Sequence, residues 1–259
     1  MKKSILALAA LATALPLSMA HAAPLEPIRV ILVGDSTMQT KSGYGDALCA
    51  RFTPEVTCVN LARGGRSTSS FRAEGRWDEV QRMLREGSQF KANYVLVQFG
   101  HNDQPGKPGR STDLVTQFPV NMARYAAEVK ELGGVPVLVT PLTRRSFKGQ
   151  YLSNDLAPWA EATRKAALQE HAVLLDLNKD SYDAVQAMGQ AEADTLAMAP
   201  PPSSPVVAND PNKVEPQGAA KSAFDRTHLG DKGAALFANI VAGEFARAVP
   251  AVAPYLKKQ

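Results

Sequence analysis

Between residues 28 and 177 the sequence alternates short, continuous apolar runs with longer amphipathic stretches, and this alternation restricts the fold more than any other feature. Ile28–Val33 (IRVILV) is apolar except for Arg29. A strand with one face in water would show a polar residue at every second position, so this run reads as a strand covered on both faces. Val56–Leu61 (VTCVNL), Tyr94–Phe99 (YVLVQF), Val135–Thr140 (VPVLVT) and Val173–Leu177 repeat the signal. The intervening segments have helical spacing: Tyr44–Phe52, Trp77–Arg85, Gln117–Leu132 and Asp155–Glu170, with Tyr182–Met198 and Gly233–Ala248 after the fifth run. Gly133-Gly134 supplies a glycine C-cap for the third of these helices. Strands that alternate with helices pair in parallel, and the crossovers lay helices on both faces of the sheet. The expected fold class is therefore α/β, a three-layer α/β/α sandwich with a five-stranded parallel sheet.

The ends and one internal stretch lie outside this pattern. Lys2 and Lys3 precede an apolar run from Ile5 to Met19 that closes on Ala20-His21-Ala22. A positive start, a short apolar centre and a small-x-small ending form a signal-peptide pattern, and Pro16 cuts the run short of a membrane span. Residues 1–22 are accordingly expected to be a signal peptide, and 23–259 one catalytic domain exported to the periplasm or the medium. Ala199–Ser222, rich in Pro, Ser, Asn and Ala, is expected to be a long surface loop within that domain. Export bears on the two cysteines, because disulfides persist in oxidising compartments. Cys49 and Cys58 are a disulfide candidate, the alternative being two buried thiols. A formal charge of +4 over 259 residues is too dilute for a nucleic-acid surface, so no nucleic-acid partner is expected.

In open α/β sheets ligands sit beyond the carboxyl ends of the strands. There the sequence places Gly34-Asp35-Ser36-Thr37 after the first strand and Ala62-Arg63-Gly64-Gly65-Arg66-Ser67 after the second. Gly100-His101-Asn102-Asp103 follows the third, and Asp225-Arg226-Thr227-His228 precedes the last helix. Each block alone has an ordinary reading as a cap, a turn or a local hydrogen bond. Together they supply the groups that acyl transfer needs. Serine is a weak nucleophile until a base removes its proton, and His228 is the candidate base for Ser36. Asp225, three residues earlier, can hold the other imidazole nitrogen and stabilise the imidazolium. Ser36 is expected at a strand-to-helix turn, with its N–H at the helix N-terminus. The Ser36 and Gly65 N–H groups and the Asn102 amide are the candidate oxyanion hole. Met38 stands where an α/β-hydrolase elbow would have glycine, no Walker-type phosphate loop occurs, and the histidines are too scattered for a zinc site. No metal or other cofactor is expected.

These four blocks resemble the conserved blocks of the SGNH (GDSL-like) hydrolases over about Val30 to Phe245. Gly34-Asp35-Ser36-Thr37, Ala62-x-x-Gly65-Arg66-Ser67, Gln98-Phe99-Gly100-His101-Asn102-Asp103 and Thr140-Pro141-x-x-Arg144-Arg145 are similar to the rhamnogalacturonan acetylesterase branch of the carbohydrate esterases. The resemblance implies a flavodoxin-like SGNH fold, a Ser36–His228–Asp225 triad and oxyanion donors at Ser36, Gly65 and Asn102. It also implies hydrolysis of acetyl esters on plant cell-wall polysaccharide without a cofactor. The Pro-rich stretch ahead of Asp225 departs from the pattern.

The substrate is expected to be acetylated pectic rhamnogalacturonan, as polysaccharide or oligosaccharide. Acetylated xylan, a lipid ester of the lysophospholipase type and non-catalytic carbohydrate binding are the alternatives. Arg63, Arg66, Arg72, Arg76, Arg144 and Arg145 follow the second and fourth strands, where guanidinium groups could rim a cleft for an acidic polymer. Arg66 beside Gly65 and His101 beside Asn102 are the candidate substrate-binding residues. His171, at the opening of the fifth strand, is expected to be structural.

Overall fold

The computed structural model describes residues 24–199 and 224–258, so the expected signal peptide and nearly all of the 199–222 segment lie outside the described residues. Along the chain run β1 (Ile28–Gly34), α1 (Gly45–Ala50), β2 (Val56–Asn60), α2 (Ser70–Ala73), α3 (Arg76–Arg85), β3 (Asn93–Gln98) and α4 (Phe118–Glu131). Then come β4 (Val135–Val139), β5 (Phe147–Lys148), β6 (Tyr151–Leu152), α5 (Ala157–Gln169), β7 (Val173–Leu175), α6 (Leu177–Asp194) and α7 (Asp231–Ala248). A 3-10 turn, Pro250–Tyr255, follows.

The five expected strands form one sheet in the order β2-β1-β3-β4-β7, and every neighbouring pair is parallel. Each central strand is buried on both faces, which is why its sequence does not alternate. Val30, Leu32, Leu96, Val137 and Val139 pack with Leu48, Val185, Phe237, Val241 and Phe245, so α1, α6 and α7 cover that side. Ile31, Val33, Val95, Val97 and Leu138 pack with Val80, Leu84, Met122, Val129 and Ala166 under α3, α4 and α5. Burying one such side chain stabilises by about 1.5–3 kcal/mol, so these two layers carry the fold. Cys49 and Cys58 are bonded and tie α1 to the edge strand β2. Among the described residues no helix is long and apolar enough to cross a membrane.

Gly133 takes φ +74 after α4, and the N–H groups of Gly133 and Gly134 return to Lys130 and Val129, as its C-cap position predicts. Elsewhere the boundaries move. The sixth helix begins at Leu177 rather than Tyr182, and Gly189, at φ 72 and ψ 170, breaks it internally. Two polar residues at its start face inward: Asn178 donates to the Thr140 hydroxyl and the Pro141 carbonyl, and Ser181 accepts from the Thr143 N–H. The β5–β6 hairpin was absent from the sequence pattern because two-residue strands carry no periodicity. Side chains of α6 satisfy it from outside: Gln190 accepts from Phe147 N–H and Gln186 from Leu152 N–H. His171, at φ 47, is an exposed turn residue closing α5.

The strand order reverses between β1 and β3, since β2 lies to one side of β1 and all later strands to the other. Crossovers on opposite faces leave a crevice beyond the carboxyl ends at this point. Residues 35–44, 61–69 and 99–117 border it.

Candidate active site

Ser36 does not sit at a helix N-terminus, contrary to the expectation, because α1 begins only at Gly45. The segment from Asp35 to Tyr44 folds into successive turns instead, with Met38 and Gln39 N–H donating to the Asp35 carbonyl. Asp35 Oδ1 accepts from the Thr37 N–H at 2.9 Å and the Thr37 hydroxyl at 2.8 Å, which locks the first turn and leaves Ser36 half-buried at its crest. The chain then doubles back so closely that a Cβ on Gly45 would lie 2.2 Å from the Met38 carbonyl.

The structure brings Ser36, His228 and Asp225 into one line. Ser36 Oγ lies 2.8 Å from His228 Nε2, and His228 Nδ1 lies 2.7 Å from Asp225 Oδ2. The hydrogen bond from His228 holds the Asp225 carboxyl well below the usual carboxylate range, aided by the N–H groups of His228 and Thr227 against its partial burial. An ionised Asp225 places the imidazole proton on Nδ1 and leaves Nε2 free to accept from Ser36.

The 225–228 segment follows no strand directly in the chain and is held in place by tertiary contacts. Leu229 N–H donates to the Ser42 carbonyl at 2.9 Å, and Leu229 bridges Ala197. Arg226 pairs with Asp194 through two bonds of 2.9 and 3.0 Å. Arg145, fully buried, donates to the carbonyls of His228 at 2.7 Å and of Asp225 and Thr227 at 3.3 Å. Burial pushes its guanidinium down to about 10, still charged near neutrality. Arg145 thus lies beneath the base rather than on a cleft rim, which corrects that part of the sequence reading.

The oxyanion candidates keep N–H groups that the protein does not use. Among the described residues neither the Ser36 N–H nor the Gly65 N–H donates to any acceptor. Gly65 has φ +77, a conformation that costs a side chain strain, so glycine is the residue that turns its amide this way. Asn102 donates one N–H to the Arg66 carbonyl at 3.0 Å, which fixes its amide and leaves the other N–H. Gly100, at φ +142, lets the chain pass Pro141, whose Cβ lies 3.1 Å from where a Gly100 Cβ would be.

Gln39, which nothing in the sequence singled out, couples the first two blocks. Its Oε1 accepts from Gly64 N–H, its Nε2 donates to Ser42 Oγ, and Ser42 Oγ donates to the Ser36 carbonyl. Beneath the serine, Tyr44, Gln98, Thr37 and Asp35 form a buried hydrogen-bonded chain. His101 lies at its far end, 3 % exposed, with Nδ1 3.5 Å from Asp35 Oδ2. Burial lowers the His101 imidazole below its ordinary value against the pull of Asp35. Asp35 is held below the usual carboxylate range, where His101 and the Thr37 donors outweigh burial. His101 therefore supports the floor of the site and is not presented to the cleft. Asp103 accepts from Thr68 and Thr112 on the same side, and burial pushes it up to about 6.

Internal partners also claim most of the expected arginine rim. Arg66 pairs with Glu74 at 2.9 Å and donates to the Gly64 carbonyl at 2.7 Å. Arg76 shares Glu74, Arg72 pairs with Glu128 over the Tyr125 ring, and Arg144 pairs with Asp155 and Gln104. Arg63 stays exposed and unpaired among the described residues. Among those residues no cluster of His, Cys, Asp and Glu could hold a metal ion.

The family described as GDSL-like Lipase/Acylhydrolase matches residues 30–241, which include every block above. The chain is 31% identical over 225 residues to the rhamnogalacturonan acetylesterase RhgT of Bacillus subtilis, an alignment covering 84% of this chain and 89% of that protein. In fold it is similar to the Bacillus subtilis protein YxiM, with a TM-score of 0.66 at 21% identity over 86% of this chain and 57% of that one. It is also similar to Axe2, an acetylxylan esterase from Geobacillus stearothermophilus, with a TM-score of 0.55 at 16% identity over 85% of this chain and 93% of that one.

Proposed function

The chain belongs to the GDSL-like lipase/acylhydrolase family and is a carboxylic ester hydrolase, and from that premise we propose that it is an exported serine esterase removing O-acetyl groups from pectic rhamnogalacturonan. The observation that carries the chemistry is the unbroken line from Asp225 through His228 to Ser36 Oγ, together with the Ser36 and Gly65 N–H groups, which have no acceptor among the described residues. The substrate rests on the likeness to RhgT, and export on the leader-like residues 1–22.

Ser36 Oγ attacks the acetyl carbonyl carbon while its proton passes to His228 Nε2. The carbonyl oxygen takes up the negative charge against the N–H groups of Ser36 and Gly65 and the Asn102 amide. Each such donor is worth roughly 3–4 kcal/mol in the transition state. Collapse breaks the C–O bond to the sugar, whose oxygen takes the proton from His228, and leaves acetyl on Ser36. His228 then removes a proton from water, the hydroxide attacks the acetyl carbon, and collapse frees acetate and restores the serine. Asp225 stabilises the imidazolium in both halves and keeps its own charge throughout.

Ser36→Ala is expected to lower turnover of an aryl acetate by at least ~10³-fold with an unchanged melting temperature. Retained turnover would refute the mechanism. Acetate release from acetylated rhamnogalacturonan, homogalacturonan and xylan, measured in parallel, tests the substrate, and preference for xylan would favour the acetylxylan reading. Faster turnover of octanoyl than of acetyl esters would point to a lipid ester instead.

A further inference from the structure

Among the described residues two guanidinium groups near the oxyanion glycine have no partner, the exposed Arg63 and the half-buried Arg110. Arg110 Nη1 lies 3.4 Å from the position that a Cβ on Gly65 would occupy, so it flanks the amide assigned to the oxyanion. The side chain is half-buried, and among the described residues no carboxylate, carbonyl or ring takes it. Arg66, Arg72, Arg144 and Arg145 all donate to groups of the protein, and Arg63, which has no partner either, does not come within 4 Å of that position on Gly65.

The loop that carries it is pre-formed. Arg110 N–H donates to the Lys107 carbonyl at 3.0 Å, and Ser111 Oγ donates to the Gln104 carbonyl at 2.8 Å while accepting from Lys107 N–H at 2.9 Å. Lys107 Nζ reaches the His101 carbonyl, and Thr112 binds Asp103 through both its N–H and its hydroxyl. The loop is therefore tied to the residues on either side of Asn102, and ordering it on binding costs little.

We propose that Arg110 is a carboxylate-binding subsite that recognises a uronate group on the sugar bearing the acetyl ester, or on its neighbour in the chain. Guanidinium stays charged at any working pH and presents a planar fork that matches a carboxylate through two hydrogen bonds. The acetyl carbonyl oxygen turns to the Gly65 amide and the sugar oxygen to His228, so a guanidinium beside Gly65 borders the space open to the sugar's substituents and to its neighbour in the chain. The group positions substrate and takes no part in bond making. The inference rests on the esterase reading of Ser36.

The test compares O-acetylated galacturonic acid with its methyl ester, which carries the same acetyl group and no charge on the carboxyl. The wild-type protein is expected to prefer the acid by about 10-fold in kcat/KM, carried by KM. Arg110→Gln is expected to reduce that preference to about one, and Arg110→Lys, which keeps the charge without the fork, to retain part of it. A preference that survives Arg110→Gln, or a wild-type protein that treats both compounds alike, would overturn the assignment. So would an Arg110→Gln protein that loses activity equally on both, because that outcome places Arg110 on the oxyanion or in the structure. Should the wild type release acetate from neither sugar, the sugar-ester reading falls and the subsite with it. Melting curves of both variants establish that each compared protein is folded.

Discussion

Replacing Arg145 by methionine separates its role beneath the base from a role at the substrate. Three of its bonds would go: the 2.7 Å bond to the His228 carbonyl and the 3.3 Å bonds to the Asp225 and Thr227 carbonyls. Its main-chain bond to Arg226, at 3.0 Å, is independent of the side chain and stays. A hydrogen bond from a charged donor contributes roughly 1.5–3 kcal/mol at good geometry, and only the shortest of the three reaches that range. Against the loss, methionine of similar length spares the protein the burial of a cation. The net cost to folding is thus about 1–2 kcal/mol, which lowers the melting temperature by a few degrees in a chain of this size. The catalytic cost is larger, because the main chain of 225–228 is then free to relax. A drift of about 1 Å at His228 takes Nε2 out of hydrogen-bond reach of Ser36 and costs about 10²-fold in rate, or ~2.7 kcal/mol. Steady-state hydrolysis of an aryl acetate, alongside a melting curve, is expected to show kcat lowered about 10²-fold with KM within about 3-fold. An unchanged kcat in a folded variant would refute the argument. A raised KM with kcat intact would also refute it and restore Arg145 to the substrate rim.

Two further predictions concern stability. Glu244, 6 % exposed, is pushed up to about 8 from an ordinary value of 4.5 by burial, and then by Asp180 and Asp176 against the pull of Arg247. Between those values the folded protein holds a proton that the unfolded chain has released, so stability falls as pH rises through this window, by a few kcal/mol in all. Glu244→Gln is expected to remove that slope and to be more stable than wild type at pH 8.5; parallel denaturation curves from pH 5 to 8.5 for the two proteins would contradict it. Cys49→Ala with Cys58→Ala opens a loop whose ends are 9 residues apart. Its closure contributes roughly 2–3 kcal/mol, so the double variant is expected to melt about 5–10 °C lower with kcat at 25 °C unaltered. A melting temperature that does not move would show that the bridge constrains nothing.

The parts of the fold that showed in the sequence are those whose burial is local and repetitive. Strands covered on both faces wrote themselves as unbroken apolar runs, and the parallel sheet followed from their spacing. Where burial uses polar groups the pattern was silent: Asn178 and Ser181 face inward to satisfy the turn after β4, and they fell outside the helix read from Tyr182. The site shows the same division. Ser36, Gly65, Asn102, Asp225 and His228 stood out because short blocks place their chemical groups within a residue or two of a turn. The groups that orient them are chosen by distance in space, and no spacing in the chain announces it. Gln39 joins Ser42 to Gly64, 25 residues away, and Arg145 reaches the His228 carbonyl across 83 positions. Charge misled for this reason. Clustering in sequence made Arg63, Arg66, Arg72, Arg76, Arg144 and Arg145 look like a rim, yet a cation inside a folded domain is available to a ligand only if the protein has not already spent it on its own acids and carbonyls, and of these six only Arg63 is unspent among the described residues. Arg110 lay outside every motif, and it is conspicuous only once the partners of the others are known. For anionic substrates the informative quantity is thus the uncompensated cation beside the reacting atoms, which composition and motif leave undefined and the folded packing determines.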